Sequence, residues 1–123
     1  MKYILITQTE EMAEAARSPK AFPPGDEVLV FSAWKDALDA SQDTDLMFVD
    51  MVATLDEQHK AAGYERFAEA KMHHPVAGGV PLVLIAPEDS YELDYIPGWP
   101  DFVFAHIRRP VDEKIFRRAS TWV

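Results

Sequence analysis

The histidines are the first residues to test for chemistry. His73 and His74 stand side by side before Pro75. Neighbouring residues at a helix end point about 100° apart, a poor geometry for gripping one metal ion. A helix C-terminus favours positive charge, so the pair reads as capping. His59, within Asp56-Glu57-Gln58-His59, falls on a solvated helix face. Gly78-Gly79 precedes an apolar run, whereas glycines that cradle phosphate follow a strand and open a helix. No Ser/His/Asp set is recognisable from spacing. The absence of cysteine excludes thiol catalysis, disulfides and cysteine-rich zinc sites together. What remains is one carboxylate, Asp50, closing the apolar run Leu46-Met47-Phe48-Val49, and a basic group near the end of the chain. That group comprises Arg108, Arg109 (before Pro110), Lys114, Arg117 and Arg118.

Charge sharpens the contrast. The chain carries a net −9, yet residues 1–105 hold seven Lys/Arg against 19 Asp/Glu while residues 106–123 hold five against two. An acidic body argues against general nucleic-acid binding, which needs a broad basic face. A basic corner on such a body suits docking, or a helix salt-bridged to its neighbours. The 123 residues, 48% of them hydrophobic, suffice for one core and are too few for two, so residues 1–123 read as a single domain. The first apolar run, Tyr3 to Ile6, is far shorter than a signal-peptide core, and no run approaches membrane-spanning length. A soluble cytoplasmic protein is expected.

The elements that must position Asp50 and the basic corner alternate regularly. Tyr3 to Ile6 is a strand-type run, and Glu10 to Arg17 has strong helix propensity. Pro19, Pro23, Pro24 and Gly25 break the chain before a second strand, Val28 to Phe31. Ser32 is a candidate N-cap for a short helix with Trp34, Ala37 and Leu38 on one face. After the strand that ends in Asp50, Thr54-Leu55-Asp56-Glu57 reads as a capping box for a helix reaching about His73, with Gly63 as a weak point. Val80 to Ala86 is a fourth strand, apolar enough to be buried on both faces. Phe102 to Ile107 is the fifth, and Asp112 caps a last helix whose Ile115, Phe116, Ala119 and Trp122 face inward. Between strands four and five, Pro87 to Pro100 contains three prolines and a glycine, leaving room for one helical turn at most. An ordered loop is expected there. Five buried-type strands alternating with helical stretches indicate a doubly wound parallel sheet covered on both faces.

A strand ending in Asp50, a fourth strand following Pro81, and the corner Arg109-Pro110-Val111-Asp112-Glu113 together resemble the response-regulator receiver domain over essentially the whole chain. The resemblance implies an α/β, flavodoxin-like (CheY-like) sheet of order 2-1-3-4-5, here with the fourth helix shortened or replaced by a loop. It places the site at the carboxyl ends of the strands, and it implies a cis peptide between Arg109 and Pro110.

It also implies chemistry that can be checked position by position. The strand-three carboxylate of a receiver is the nucleophile toward a phosphoryl group. Acidic residues after strand one complete a magnesium site, which offsets charge as an anion attacks an anion. A hydroxyl ending strand four and a Lys ending strand five contact the phosphoryl oxygens. Here Asp50 is the phospho-acceptor position, but Thr7, Gln8 and Thr9 follow strand one, and the first carboxylates come at Glu10 and Glu11. Ala86 replaces the hydroxyl, and Arg109 replaces the Lys with a larger, planar cation. His106 falls at the switch position, where receivers carry an aromatic residue.

The expectation is therefore a pseudo-receiver: a two-component signalling module that acts by protein contact, is not an enzyme, and has no cofactor. Asp50 would pair permanently with Arg109. Partners, or a second copy in a homodimer, would dock on the strand-five and last-helix face, built from Tyr91, Tyr95, Trp99, Arg108, Lys114, Arg117 and Arg118; no nucleic acid or membrane is implied. One alternative is a true phospho-acceptor that binds magnesium through Asp50 with Glu10 or Glu11. A further alternative is a flavodoxin-like small-molecule-binding protein or enzyme.

Overall fold

A computed structural model describes residues 1–56, 62–87 and 103–122. In chain order these form β1 (Lys2–Ile6), α1 (Glu10–Arg17), β2 (Glu27–Phe31), α2 (Trp34–Asp39), β3 (Leu46–Asp50), α3 (Ala62–His73), β4 (Leu82–Ala86), β5 (Ala105–Arg108) and α4 (Glu113–Ala119). The strands make one parallel sheet in the order β2-β1-β3-β4-β5. This is the expected doubly wound topology.

Period-two alternation sorts the strand side chains onto two cores. On one face Ile4, Ile6, Met47, Val49, Leu82 and Leu84 meet Leu38 of α2 and Tyr64 and Phe67 of α3. On the other, Tyr3, Leu5, Leu46, Phe48, Val83 and Ile85 meet Met12 and Ala16 of α1 and Phe116 and Ala119 of α4. Every residue of β3 and β4 is buried, which is why these strands read as unbroken apolar runs and not as alternating ones. Phe48 packs edge-on against Phe116, with ring centroids 5.2 Å apart. Two chain positions constrain the connections. Gly25 turns into β2 with φ +90°, a region disfavoured for other residues. Gly63 lets α3 lie directly on the backbone of Thr54 and Asp56, where a Cβ would clash.

Several local expectations are corrected. Ser32 does not cap α2. The N-cap is Ala33, without a side-chain bond, and the Ser32 carbonyl instead accepts from Gln8 Nε2. Thr54 does not open a long helix. It lies buried in a 3₁₀ turn, Met51–Thr54, and its hydroxyl donates to the Met51 carbonyl at 2.7 Å. Glu57, the other half of the expected capping box, and His59 lie outside the described residues. Strand four begins at Leu82 and not at Val80, because Val80 closes a 3₁₀ turn with its N–H donating to Ala77. Strand five begins at Ala105. His74 caps in an unexpected sense. Its Nδ1 accepts the N–H groups of Val76 (3.2 Å) and Ala77 (3.0 Å), so it closes the following turn and does not serve the helix carbonyls. Asp112 does cap α4, accepting from the Ile115 N–H at 3.0 Å, and the Arg109–Pro110 peptide is cis. The connection from β4 to β5, residues 88–102, lies outside the described residues, as does the loop expected there.

Candidate functional site

Register brings the site together. The pairing Ile6↔Val49 between β1 and β3 sets Thr7 beside Asp50 as both strands end. The pairings Asp50↔Ile85 and Ala86↔Arg108 carry the same level across to β5, and the Arg109 N–H donates to the Ala86 carbonyl at 2.9 Å. Thr7, Asp50, Ala86 and Arg109 therefore line the carboxyl ends of the four neighbouring strands β1, β3, β4 and β5.

Asp50 is 1% exposed, and both of its oxygens are engaged. Arg109 grips it with two parallel bonds, Nε to Oδ1 at 3.1 Å and Nη2 to Oδ2 at 2.6 Å. This bidentate, charge-assisted pairing is the strongest polar contact that a carboxylate and a guanidinium can form. The Thr7 hydroxyl donates to Oδ2 at 2.9 Å. With its one proton committed there, Thr7 Oγ accepts from the Thr9 N–H and from the Thr9 hydroxyl, each at 3.2 Å. The result is a closed chain of donors running from the start of α1 through Thr7 to Asp50 and Arg109. The expected Asp50–Arg109 pair is thus present. Thr7 is a partner that the sequence reading placed nearby but gave no role; aligning the ends of the two apolar runs, Tyr3–Ile6 and Leu46–Val49, would have found it.

The remaining expected positions are less engaged. Gln8 is exposed and reaches toward β2. Glu10 is turned outward, its side chain 77% exposed, with an oxygen 3.9 Å from Arg17. Glu11 lines a cleft of about 100 Å³ beside the pair, together with Thr9, Met12, Arg109, Pro110 and Val111. Ala86 is buried and brings no side-chain donor. His106, at the expected switch position, stands exposed on β5, on the face opposite Ala105 and Ile107. A larger cleft, about 520 Å³, lies between α2 and α3 and is lined by none of the expected site residues.

The donor set does not fit the magnesium ion that the resemblance implies. Magnesium needs several oxygen ligands in near-octahedral array. Asp50 offers oxygens already bonded to a hydroxyl and a cation, and the guanidinium stands where a second positive charge would be repelled. Among the described residues, no group of three His, Asp or Glu is placed to hold a metal. The bonds from Arg109 and Thr7 occupy one acceptor position on Oδ1 and two on Oδ2.

Of the docking positions, Lys114, Arg117 and Arg118 are exposed on α4, and Arg108 is exposed with its Nη1 bonded to the Pro87 carbonyl at 3.0 Å. Tyr91, Tyr95 and Trp99 lie outside the described residues. Lys71 was not singled out by the sequence, yet it is 2% exposed, with Nζ donating to the Val80 carbonyl at 2.6 Å. Desolvation lowers its pKa to about 8. Among the described residues no helix is long and apolar enough to cross a membrane.

No protein-family model matches the chain, and no curated protein matches it by sequence. Solved structures do match. A response regulator receiver domain protein (CheY-like) from Methanospirillum hungatei JF-1 aligns with a TM-score of 0.71 at 12% identity, over 98% of this chain and 91% of that one. A provisionally assigned response regulator from Chloroflexus aurantiacus J-10-fl aligns with a TM-score of 0.65 at 13% identity, over 94% and 89%. With the strand order, the Asp50 position and the cis Arg109–Pro110 corner, these likenesses show that the chain has the fold of the CheY-like receiver domains.

Proposed function

We propose that the chain is a pseudo-receiver, a two-component-type signalling module that acts in the cytoplasm by protein contact and not as an enzyme. The observation that supports this best is the bidentate grip of Arg109 on Asp50. In this reading a permanent cation takes the place of the magnesium and phosphoryl group that a cycling receiver binds and releases. The Thr7 hydroxyl and the buried methyl of Ala86 fit the same account, since neither adds charge to hold a metal or a phosphate. Partners, or a second copy, meet the face formed by β5 and α4, where Arg108, Lys114, Arg117 and Arg118 are exposed on an otherwise acidic chain.

The test is incubation with millimolar magnesium and acetyl phosphate, read by intact mass, beside a magnesium titration with beryllofluoride read by tryptophan fluorescence. Unmodified protein and a flat titration are expected. A beryllofluoride complex, or a phosphoryl adduct that disappears in Asp50→Asn, would establish the phospho-acceptor instead.

A further inference from the structure

The turn that leads from α3 into β4 is closed by a side chain as well as by backbone. Residues 75–79 fold back over the end of α3. Gly78 lies so close to the Lys71 and Met72 carbonyls that a Cβ there would crowd them, and Ala77 is fully buried in the core with Val80 and Leu82. The Val76 and Ala77 N–H groups both donate to one atom, Nδ1 of His74, at 3.2 and 3.0 Å. A ring nitrogen that accepts carries no proton, so the proton of the neutral imidazole is on Nε2. That nitrogen stands 3.3 Å from Asp39 Oδ1 at the end of α2 and donates to it. The ring, its side chain 20% exposed, therefore ties α2 to the turn. The bonds on both sides require one tautomer, and a second proton on the ring destroys it.

We propose that His74 is a proton-operated clasp: neutral, it holds this turn shut, and a proton taken up at Nδ1 opens it. Protonation turns Nδ1 from an acceptor into a donor that faces two other donors, so both turn bonds are lost together. The two N–H groups then need water, because a buried donor without a partner is costly, and water reaches them only when the turn opens. Asp39 opposes this by attracting an imidazolium. Its side chain is 81% exposed, however, and solvent and salt screen an ion pair so placed. The other titratable groups on the elements packed around the ring are Asp36 on α2, Lys71 and His73 on α3, and Lys2, whose ammonium bonds the Ala40 and Gln42 carbonyls beyond α2. Lys71, one helical turn before His74, is charged in acid and disfavours a second positive charge there.

The closed turn excludes the proton and the open turn accepts it, so opening takes up a proton and becomes easier as pH falls. Histidine side chains make this change between about pH 8 and 5. Opening draws Ala77 out of the core. It also frees Val80, whose N–H is bonded to the Ala77 carbonyl and whose own carbonyl accepts from Lys71. The clasp precedes β4 and so lies at the amino ends of the strands, at the opposite end of the sheet from the Asp50–Arg109 pair. It is a separate point of control and does not rest on the reading of that pair.

The experiment is NMR of the nitrogen-15-labelled chain between about pH 7.5 and 5, on wild type, His74→Asn and His73→Asn. Long-range ring correlations report which nitrogen of His74 carries the proton. Amide hydrogen exchange, corrected for its intrinsic pH dependence, reports the protection of Val76 and Ala77, with the amides of β3 as the control for global unfolding. The wild type is expected to show the Nε2–H tautomer at the upper pH. Protection of the two amides should then fall about tenfold or more toward the lower pH, in step with titration of the His74 ring and without a fall in β3. His73→Asn should behave like wild type. In His74→Asn, whose amide oxygen accepts but does not titrate, protection should stay level. An Nδ1–H tautomer at the upper pH overturns the proposal, as do amides that are unprotected there or whose protection does not change. So does a fall that is shared by β3, out of step with the ring, or equal in His74→Asn. If the asparagine does not close the turn, the wild-type comparison of ring titration with amide protection still decides.

Discussion

Arg109 holds Asp50 by two parallel bonds, at 3.1 Å through Nε and 2.6 Å through Nη2, but the two partners are not equally buried. The Asp50 side chain is 1% exposed and that of Arg109 is 23% exposed. Removing the arginine strands a buried carboxylate, whereas removing the carboxylate leaves a cation that can turn to water. Arg109→Ala should therefore cost about 3–5 kcal/mol, and Asp50→Asn distinctly less. The double variant should cost less than the sum of the two. Urea denaturation of the three variants checks this. Equal costs that add would show that the pair is not coupled.

Much of this arrangement was legible in the sequence, and the reasons are physical. The apolar runs and their Pro/Gly breaks announced a parallel sheet, because strands buried on both faces cannot alternate. The resemblance to receivers then placed a carboxylate ending one run and the basic residue before Pro110 at the carboxyl ends of the strands, where the two are paired. Burial of single side chains was less visible. Lys71 sits in an ordinary helical sequence, and nothing in its neighbours announces that its Nζ turns inward to the Val80 carbonyl. Ser32 and Thr54 had cap-forming side chains, but the backbone entered α2 one residue later and made a 3₁₀ turn before α3. Short-range capping rules do not contain that tertiary geometry.

Thr7 offers a cleaner probe of the site than either charge. Its hydroxyl donates to Asp50 and accepts from the N–H and the hydroxyl of Thr9, so Thr7→Val keeps the shape and deletes all three bonds. A loss of about 1–2 kcal/mol is expected, with Thr7→Ser retaining most of the stability. Matching losses in Val and Ser would assign the effect to packing and exclude the hydroxyl.

Gly63 should behave opposite to helix propensity. In an exposed helix, Gly→Ala gains about 1 kcal/mol. Here the added Cβ would run into the Thr54 carbonyl and the Asp56 backbone nitrogen, neither of which can move without shifting the chain. Gly63→Ala is expected to lose about 1–3 kcal/mol in thermal or urea unfolding. A stabilised variant would mean that α3 does not lie on this backbone.

The buried lysine makes a prediction in pH. Desolvation lowers the Lys71 pKa to about 8 from its ordinary 10.5, so between those values the unfolded chain holds a proton that the folded chain has released. Stability rises with pH wherever the unfolded state binds more protons. The contribution of Lys71 should therefore increase from pH 8 upward, by roughly 1–2 kcal/mol at pH 9.5. Above about pH 10 the trend reverses. Tyr3 and Tyr64 have pKa values raised mainly by burial, so they keep protons that the unfolded chain gives up. Lys71→Met removes the titrating group and also leaves the Val80 carbonyl without its donor, so absolute stability is not the informative quantity. The informative quantity is the slope. Urea midpoints measured at half-unit steps from pH 7 to 9.5 should climb in the wild type relative to Lys71→Met, and contributions from all other groups cancel in that difference. Parallel profiles for the two proteins would show that Lys71 stays charged throughout this range and is solvated better than its burial implies.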